Sequence, residues 1–236
     1  MKLGIMQPYF FPYLGYFSLI QNCDEFILFD TPQFIRHGWI ERNKILKPNG
    51  EPLYIKVPLL KHSRETAIND LKIRNTENWK EKILAQLIPY KKKAKNYFNV
   101  INLINEIFEF ETDSIVSLNN IALQKTCSYL EISTPIKIWS KMNIEIGKVN
   151  APDEWALHIC KAMNATSYYN PEGGIDFFDK NKYLQANIDL KFLKMDIIPY
   201  EQFENEFIPF LSILDILMFN DKKEINMMLD SFKFID

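Results

Sequence analysis

The densest set of groups able to do chemistry lies between Gln33 and Lys44, in the run "QFIRHGWIERNK". It brings Arg36, His37, Trp39, Arg42, Asn43 and Lys44 together in one short stretch. Guanidinium and amide groups hold carboxylates and phosphates through paired hydrogen bonds, and an indole offers a face for stacking. These are the residue types of an anionic-ligand site, although a hairpin with solvated charges would carry the same ones. His37 is the histidine in suspicious company, since an imidazole titrates near neutrality and can take a proton as a general base. Asp30 closes the apolar run "EFILFD". The end of a strand in an open α/β sheet is where such sheets bind ligands, so Asp30 is the second candidate base; it would otherwise hold a hydroxyl or an amine, or cap the next loop. His62 lies in a polar stretch and is expected to be solvated. His158 is two residues from Cys160, on a different helix face, which argues against a metal pair or a Cys–His dyad. No Gly-x-Ser-x-Gly, phosphate loop or zinc-ligand spacing occurs, so no metal is expected and the sequence names no cofactor.

A second cluster opens the chain. Pro8–Ile20, "PYFFPYLGYFSLI", holds six aromatics, two prolines and a glycine. Gln7, Tyr13, Gly15 and Tyr16 sit where a first strand gives way to a helix. The rings could wall a site, with Gly15 allowing a ligand close to the backbone; they could equally pack the helix onto a sheet. In "YYNPEGG", Asn170, Gly173 and Gly174 offer a similar backbone surface, and a plain turn explains the same residues. Asp215 stands inside "LSILDILMF". A carboxylate in a buried helix must find a partner or stay protonated, and an arginine from the Arg36–Arg42 region is the partner expected. The run "YKKKAK" is expected to be a solvated face. It could also meet a diphosphate, a tRNA or an anionic lipid, but a net charge of −2 gives no general pull toward nucleic acid.

Such side chains need elements to position them. Lys2–Gln7 and Glu25–Asp30 read as strands flanking a helix over Tyr13–Cys23, a βαβ unit. Phe34–Leu46 and Pro52–Leu59 flank the turn signal "PNG". "KHSRETAINDLKI" reads as a mobile polar linker. Helical spacing then dominates, first in "TENWKEKILAQLI" with Thr76 as cap and Pro89 as stop. "KNYFNVINLINEIFEF" and "DSIVSLNNIALQKTCSYLE", the latter capped by Asp113, continue it. Thr134–Ser140 and Ala165–Asn170 read as strands around a helix over Pro152–Met163. "DLKFLKM" reads as a further strand, and Pro209–Asn220 as a late buried helix. The expectation is an α/β fold: a parallel-type sheet built from N- and C-terminal βαβ units, with a helical insertion over 75–132, in a single domain over 1–236. In 236 residues, 47% are hydrophobic and 25% charged, enough for a sizeable core. Three cysteines at long spacings do not make a disulfide framework, and no stretch reaches the length of a membrane span or a leader. A reduced, cytoplasmic protein is expected.

Five blocks carry a resemblance: "MQPYFFPYLGYFSLI", "DEFILFDTPQFIRHGWIERNKI", "LIPYKKKAKNYF", "YYNPEGG" and "PFLSILDILMFN". Their content and order resemble the WbqC-like family over nearly the whole chain. Members often open with His-Gln-Pro where this chain has Met6-Gln7-Pro8, and tend to read Asn-Arg-Asn where it has Glu41-Arg42-Asn43. The resemblance implies association with bacterial surface-polysaccharide clusters, including O-antigen loci. It suggests acyl or aminoacyl transfer to a nucleotide-linked amino sugar, with that sugar and an acyl or aminoacyl donor as partners. Arg36 and Arg42 would then hold anionic groups, and Tyr13, Tyr16 and Trp39 would form aromatic walls. Gly15, Gly173 and Gly174 would admit the backbone contact; Gln7, Asn43, Asn170 and Asp215 would complete the binding set. His37 or Asp30 would be the base. A non-catalytic sugar-nucleotide-binding or scaffold protein is the alternative. Separately, Tyr13-Leu14-Gly15-Tyr16 resembles the H-x-G-H loop of HIGH-type nucleotide-binding enzymes with tyrosines for both histidines, which implies a degenerate ligase using ATP.

Overall fold

The computed structural model describes residues 1–203 and 206–235. Strand β1 (Lys2–Met6) is followed by α1 (Leu14–Gln21) and β2 (Glu25–Leu28). An antiparallel hairpin, β3 (Arg42–Leu46) and β4 (Pro52–Lys56), stands apart from the main sheet. Three helices follow: α2 (Trp79–Leu87), α3 (Tyr97–Phe108) and α4 (Ile115–Tyr129). The chain then re-enters the sheet through β5 (Ile136–Ile138), α5 (Glu154–Ala162), β6 (Ser167–Pro171), α6 (Lys180–Gln185) and β7 (Asp189–Met195). It ends with α7 (Ile213–Phe219), α8 (Lys222–Leu229) and β8 (Phe232–Ile235).

The six-stranded sheet has the order β5-β2-β1-β6-β7-β8, parallel throughout except for the β8 edge. Parallel strands covered on both faces can be apolar at every position, which is why "KLGIM" and "EFIL" show little alternation. Alternate side chains serve two cores. Leu3, Ile5, Ile27, Tyr168 and Phe192 face α5 and α6; Phe26, Leu28, Tyr169 and Leu193 face α1, α3, α4, α7 and α8.

The order of the strands places the site. From β1 the chain steps outward to β2 and then β5. It next returns past β1 to lay down β6 on the other side. Loops leaving the carboxyl ends of β1 and β6 therefore diverge in opposite directions and leave a crevice between them, the usual ligand position in open α/β sheets.

The α/β reading stands, while several local expectations do not. Helix α2 starts at Trp79 after Asn78 with no side-chain cap, so Thr76 is not its cap. Helix α4 is capped by Ser114, whose Oγ accepts the Ser117 amide at 3.3 Å; Asp113 instead pairs with Lys72 at 3.0 Å. The segment read as a mobile linker is tied down. Ile68, Leu71 and Ile73 are buried in the main core, and bridges join Gln33 to Ala67 and Leu59 to Ile73. Its few apolar residues are spaced to point inward while its polar ones face out. Among the described residues no helix is long and apolar enough to cross a membrane.

Candidate functional site

The loop from β1 to α1 is held almost atom by atom. Tyr16 donates its hydroxyl to the Gln7 carbonyl at 2.8 Å. Asn119 of α4 donates to the carbonyls of Pro8 (2.7 Å) and Ile40 (2.8 Å). Asn43 of β3 donates to those of Phe10 (3.0 Å) and Phe11 (2.8 Å), and Ser212, the cap of α7, donates to Phe11 as well, at 2.8 Å. The Phe10 amide donates to Trp39 at 2.8 Å, and the Ile213 amide to Pro12 at 2.8 Å. Two prolines deprive this segment of donors, so its carbonyls are satisfied by side chains from distant elements. Phe11 is held at φ 41, a left-handed conformation that a bulky residue keeps only when its surroundings impose it. What the frozen loop leaves partly open are the side chains of Gln7, Tyr9 and Tyr13.

Opposite it, β6 ends in Asn170 and the short turn Glu172–Gly174. Asn170 is 8% exposed and donates to the Tyr168 hydroxyl at 2.7 Å. That bond turns its carbonyl oxygen toward Gly174, where a Cβ would stand only 2.2 Å away. The oxygen has no donor among the described residues. A Cβ on Gly173 would meet nothing within 4 Å, so this glycine faces open space. Tyr13 stands close enough to Glu172 to feel its charge. Burial first, then Tyr9 and Glu172, push the Tyr13 hydroxyl up to about 12, so it remains a proton donor at neutral pH.

The arm that leaves β2 runs along the same edge of the sheet and is joined to the first loop through the Trp39–Phe10 bond. Arg36 and His37 are exposed at its turn, with His37 at φ 67. Arg42 donates to the carbonyls of His37 (2.5 Å) and Gly38 (3.2 Å), and its guanidinium lies 4.5 Å over the Tyr54 ring. It shapes this turn, which leaves Arg36 as the uncommitted guanidinium. Lys44 lies 5.6 Å from both Trp39 and Tyr54, so Trp39 belongs to a cation-bearing cluster on the hairpin. Asp30 is 1% exposed, and its two oxygens accept the amide (3.0 Å) and hydroxyl (2.6 Å) of Ser140 just beyond β5.

The expected single ring-lined hollow is therefore divided. Tyr16 has no exposed surface and packs against Phe17 and Phe26. Trp39 sits on the hairpin. Tyr13 and Gly15 line a small apolar cleft with Met195, Ile198, Ile208 and Phe210, at the end of β7. Asp215 lies behind that cleft and its partners correct the arginine expectation. It accepts the hydroxyls of Tyr90 and Tyr200, each at 2.6 Å, and the Gln202 amide at 3.2 Å. Gln202 also brackets Ile208, donating to its carbonyl (3.0 Å) and accepting its amide (2.9 Å). Burial raises the Asp215 carboxyl above its usual range against the pull of these donors. Burial and the facing carboxyl also raise both tyrosine hydroxyls, so the tyrosines stay protonated.

Asn119, Ser140, Ser212, Tyr200 and Phe210 were not apparent as site residues. Asn119 alone carried a signal, an amide on the apolar face of an amphipathic helix. On the other face of the sheet, Phe29 meets Trp155 at 5.5 Å, at the start of α5.

A family model described as the WbqC-like protein family matches residues 7–227, nearly the whole chain and all of this site. The chain belongs to the WbqC-like family. A similar chain is the uncharacterized protein Rv1507c of Mycobacterium tuberculosis (strain ATCC 25618 / H37Rv). It is 27% identical over 223 residues, covering 92% of each chain. No solved structure matches.

Proposed function

We propose that this WbqC-like protein binds a nucleotide-linked amino sugar at the carboxyl edge of its sheet and transfers an acyl or aminoacyl group to it in bacterial surface-polysaccharide synthesis. The observation that carries the reading is the Asn170 oxygen. It belongs to a residue only 8% exposed, is fixed in direction by Tyr168, has no donor among the described residues, and is set beside an open glycine at the switch between β1 and β6. An amide oxygen held in one direction without a protein donor is placed to accept from a ligand hydroxyl or N–H. Gln7 and Tyr13 supply further polar contacts across the crevice, and Arg36, without a partner among the described residues, is a cation for phosphate.

In the transfer, the sugar nitrogen attacks the carbonyl carbon of an activated ester or thioester donor. The carbon–nitrogen bond forms, the bond to the leaving oxygen or sulfur breaks with its electron pair, and the ammonium proton passes to a base. We assign the base to His37, because Asp30 spends both oxygens on Ser140. Arg42 positions the turn that carries His37. A binding or presenting role in the same pathway uses the identical crevice without turnover.

Thermal-shift titration with uridine-, thymidine- and guanosine-diphosphate amino sugars tests the reading. Wild type should gain melting temperature with at least one of them. Gly173→Val should keep the unliganded melting temperature and lose most of that gain, since its side chain enters the open space. His37→Asn, which tolerates a left-handed backbone, should retain the gain and abolish transfer. No shift with any nucleotide sugar sinks the proposal.

A further inference from the structure

The apolar cleft beside the crevice adds a substrate preference. We infer that it is the subsite for a short, uncharged acyl group whose carbonyl oxygen points at the first turn of α1. This rests on the transfer reading above and names the apolar part of its donor. The cleft lies between α1, the end of β7 and residues 197–200 and 207–211; among the residues lining it, Asp196 alone is charged. Its cavity volume of about 50 Å³ admits about four non-hydrogen atoms.

Two further features point to a ligand here. Helix α1 has no side-chain cap: Tyr13 occupies the cap position with its ring turned to the cleft, and the amides of Leu14 and Gly15 have no partner among the described residues. Such amides are donors for a carbonyl oxygen that gains charge during acyl transfer. The second feature is Phe210. Its backbone is left-handed at φ 58, yet the residue is 57% exposed, and its ring stands edge-on to Tyr13 with centroids 6.1 Å apart. A bulky residue in that conformation is strained, and ordinary burial does not repay it here. A ligand covered by the ring does. The Asp215–Tyr200–Gln202 bonds behind Ile208 keep the far wall fixed, so the cleft selects by length rather than by yielding.

The test uses N-acetylcysteamine thioesters with acyl chains from acetyl to octanoyl, followed through the methyl NMR signals of Met195, Met228, Ile198 and Ile208 in the full chain. These signals should shift saturably. Affinity should rise about fourfold per added methylene, equivalent to about 0.8 kcal/mol, up to about butanoyl, and fall for longer chains. Phe210→Gly relieves the left-handed strain, so its melting temperature should equal or exceed that of wild type while butanoyl affinity drops about tenfold or more. Absence of saturable shifts, affinity that climbs unbroken to octanoyl, or unchanged affinity in Phe210→Gly each overturn the subsite. Nucleotide-sugar binding measured on the same sample separates the two readings: its persistence while the thioesters fail refutes the acyl subsite alone, and loss of both refutes both.

Discussion

At the scale of single residues, two adjacent glycines have opposite demands. Gly173 has room for a methyl group, whereas at Gly174 the methyl would overlap the fixed Asn170 oxygen at 2.2 Å. Gly173→Ala is expected to leave stability within about 0.5 kcal/mol, and Gly174→Ala to cost about 1–3 kcal/mol, both measured by denaturant unfolding. Equal effects would mean that Asn170 is free to move. Asp215 gives a pH signature. Burial raises its folded-state carboxyl above the unfolded value of 3.8, so the folded chain binds that proton more tightly. Its contribution is fully present below the unfolded value and is lost as pH rises through the folded one. Asp215→Asn should flatten this part of the stability profile above about pH 4, and Asp215→Ala should cost about 3 kcal/mol at neutral pH by orphaning two tyrosine hydroxyls. Superimposable profiles for wild type and Asp215→Asn would refute the shift. The sequence flagged Asp215 as a buried carboxylate correctly but misplaced its partner. Tyr90 and Tyr200 are remote in sequence, and three neutral donors can satisfy a carboxylate without any guanidinium.

At the scale of elements, the first loop depends on structures built much later in the chain. Asn43 on β3, Asn119 on α4 and Ser212 before α7 hold three of its carbonyls between them through four bonds. Asn43→Ala removes two of these bonds from buried, strained backbone and should cost about 2 kcal/mol. Amide exchange at Tyr9, Phe10 and Tyr13 should accelerate well before the sheet opens; exchange that speeds up only with global unfolding would show that the loop does not need its clamp. Strands β1, β2, β6 and β7 and helices α1, α3, α4 and α5 were legible because apolar spacing and prolines mark them locally. Asn43 was expected to touch ligand because its residue type suits that role. Only the packing of the hairpin against Phe10 and Phe11 turns it into a clamp.

At the scale of the molecule, the sheet separates two cores, and a cysteine reports on each. Cys23 and Cys127 lie in one and Cys160 in the other. Burial pushes all three thiols up to about 12, with Asp24 adding to the effect at Cys23, so the folded chain should resist a thiol-exchange reagent at neutral pH. We propose that the chain unfolds as one unit: all three thiols should become reactive together in a denaturant titration followed by mass spectrometry. Cys160 labelling ahead of Cys127 would show that the two faces open independently. Family membership, the α/β class and the residues at the carboxyl ends of β1 and β6 were determined by the sequence alone, because strand periodicity, turn chemistry and ordered motifs are properties of contiguous residues. Tertiary structure alone decided which polar groups stay free. Arg42, Asn43, Tyr16, Asp30 and Asp215 are engaged by partners up to 125 residues away in the chain, while the Asn170 oxygen, Arg36 and the first amides of α1 have no partner among the described residues. Hydrogen-bond saturation depends on contacts that local sequence does not encode, so the same residue types became scaffold at one position and candidate site at another.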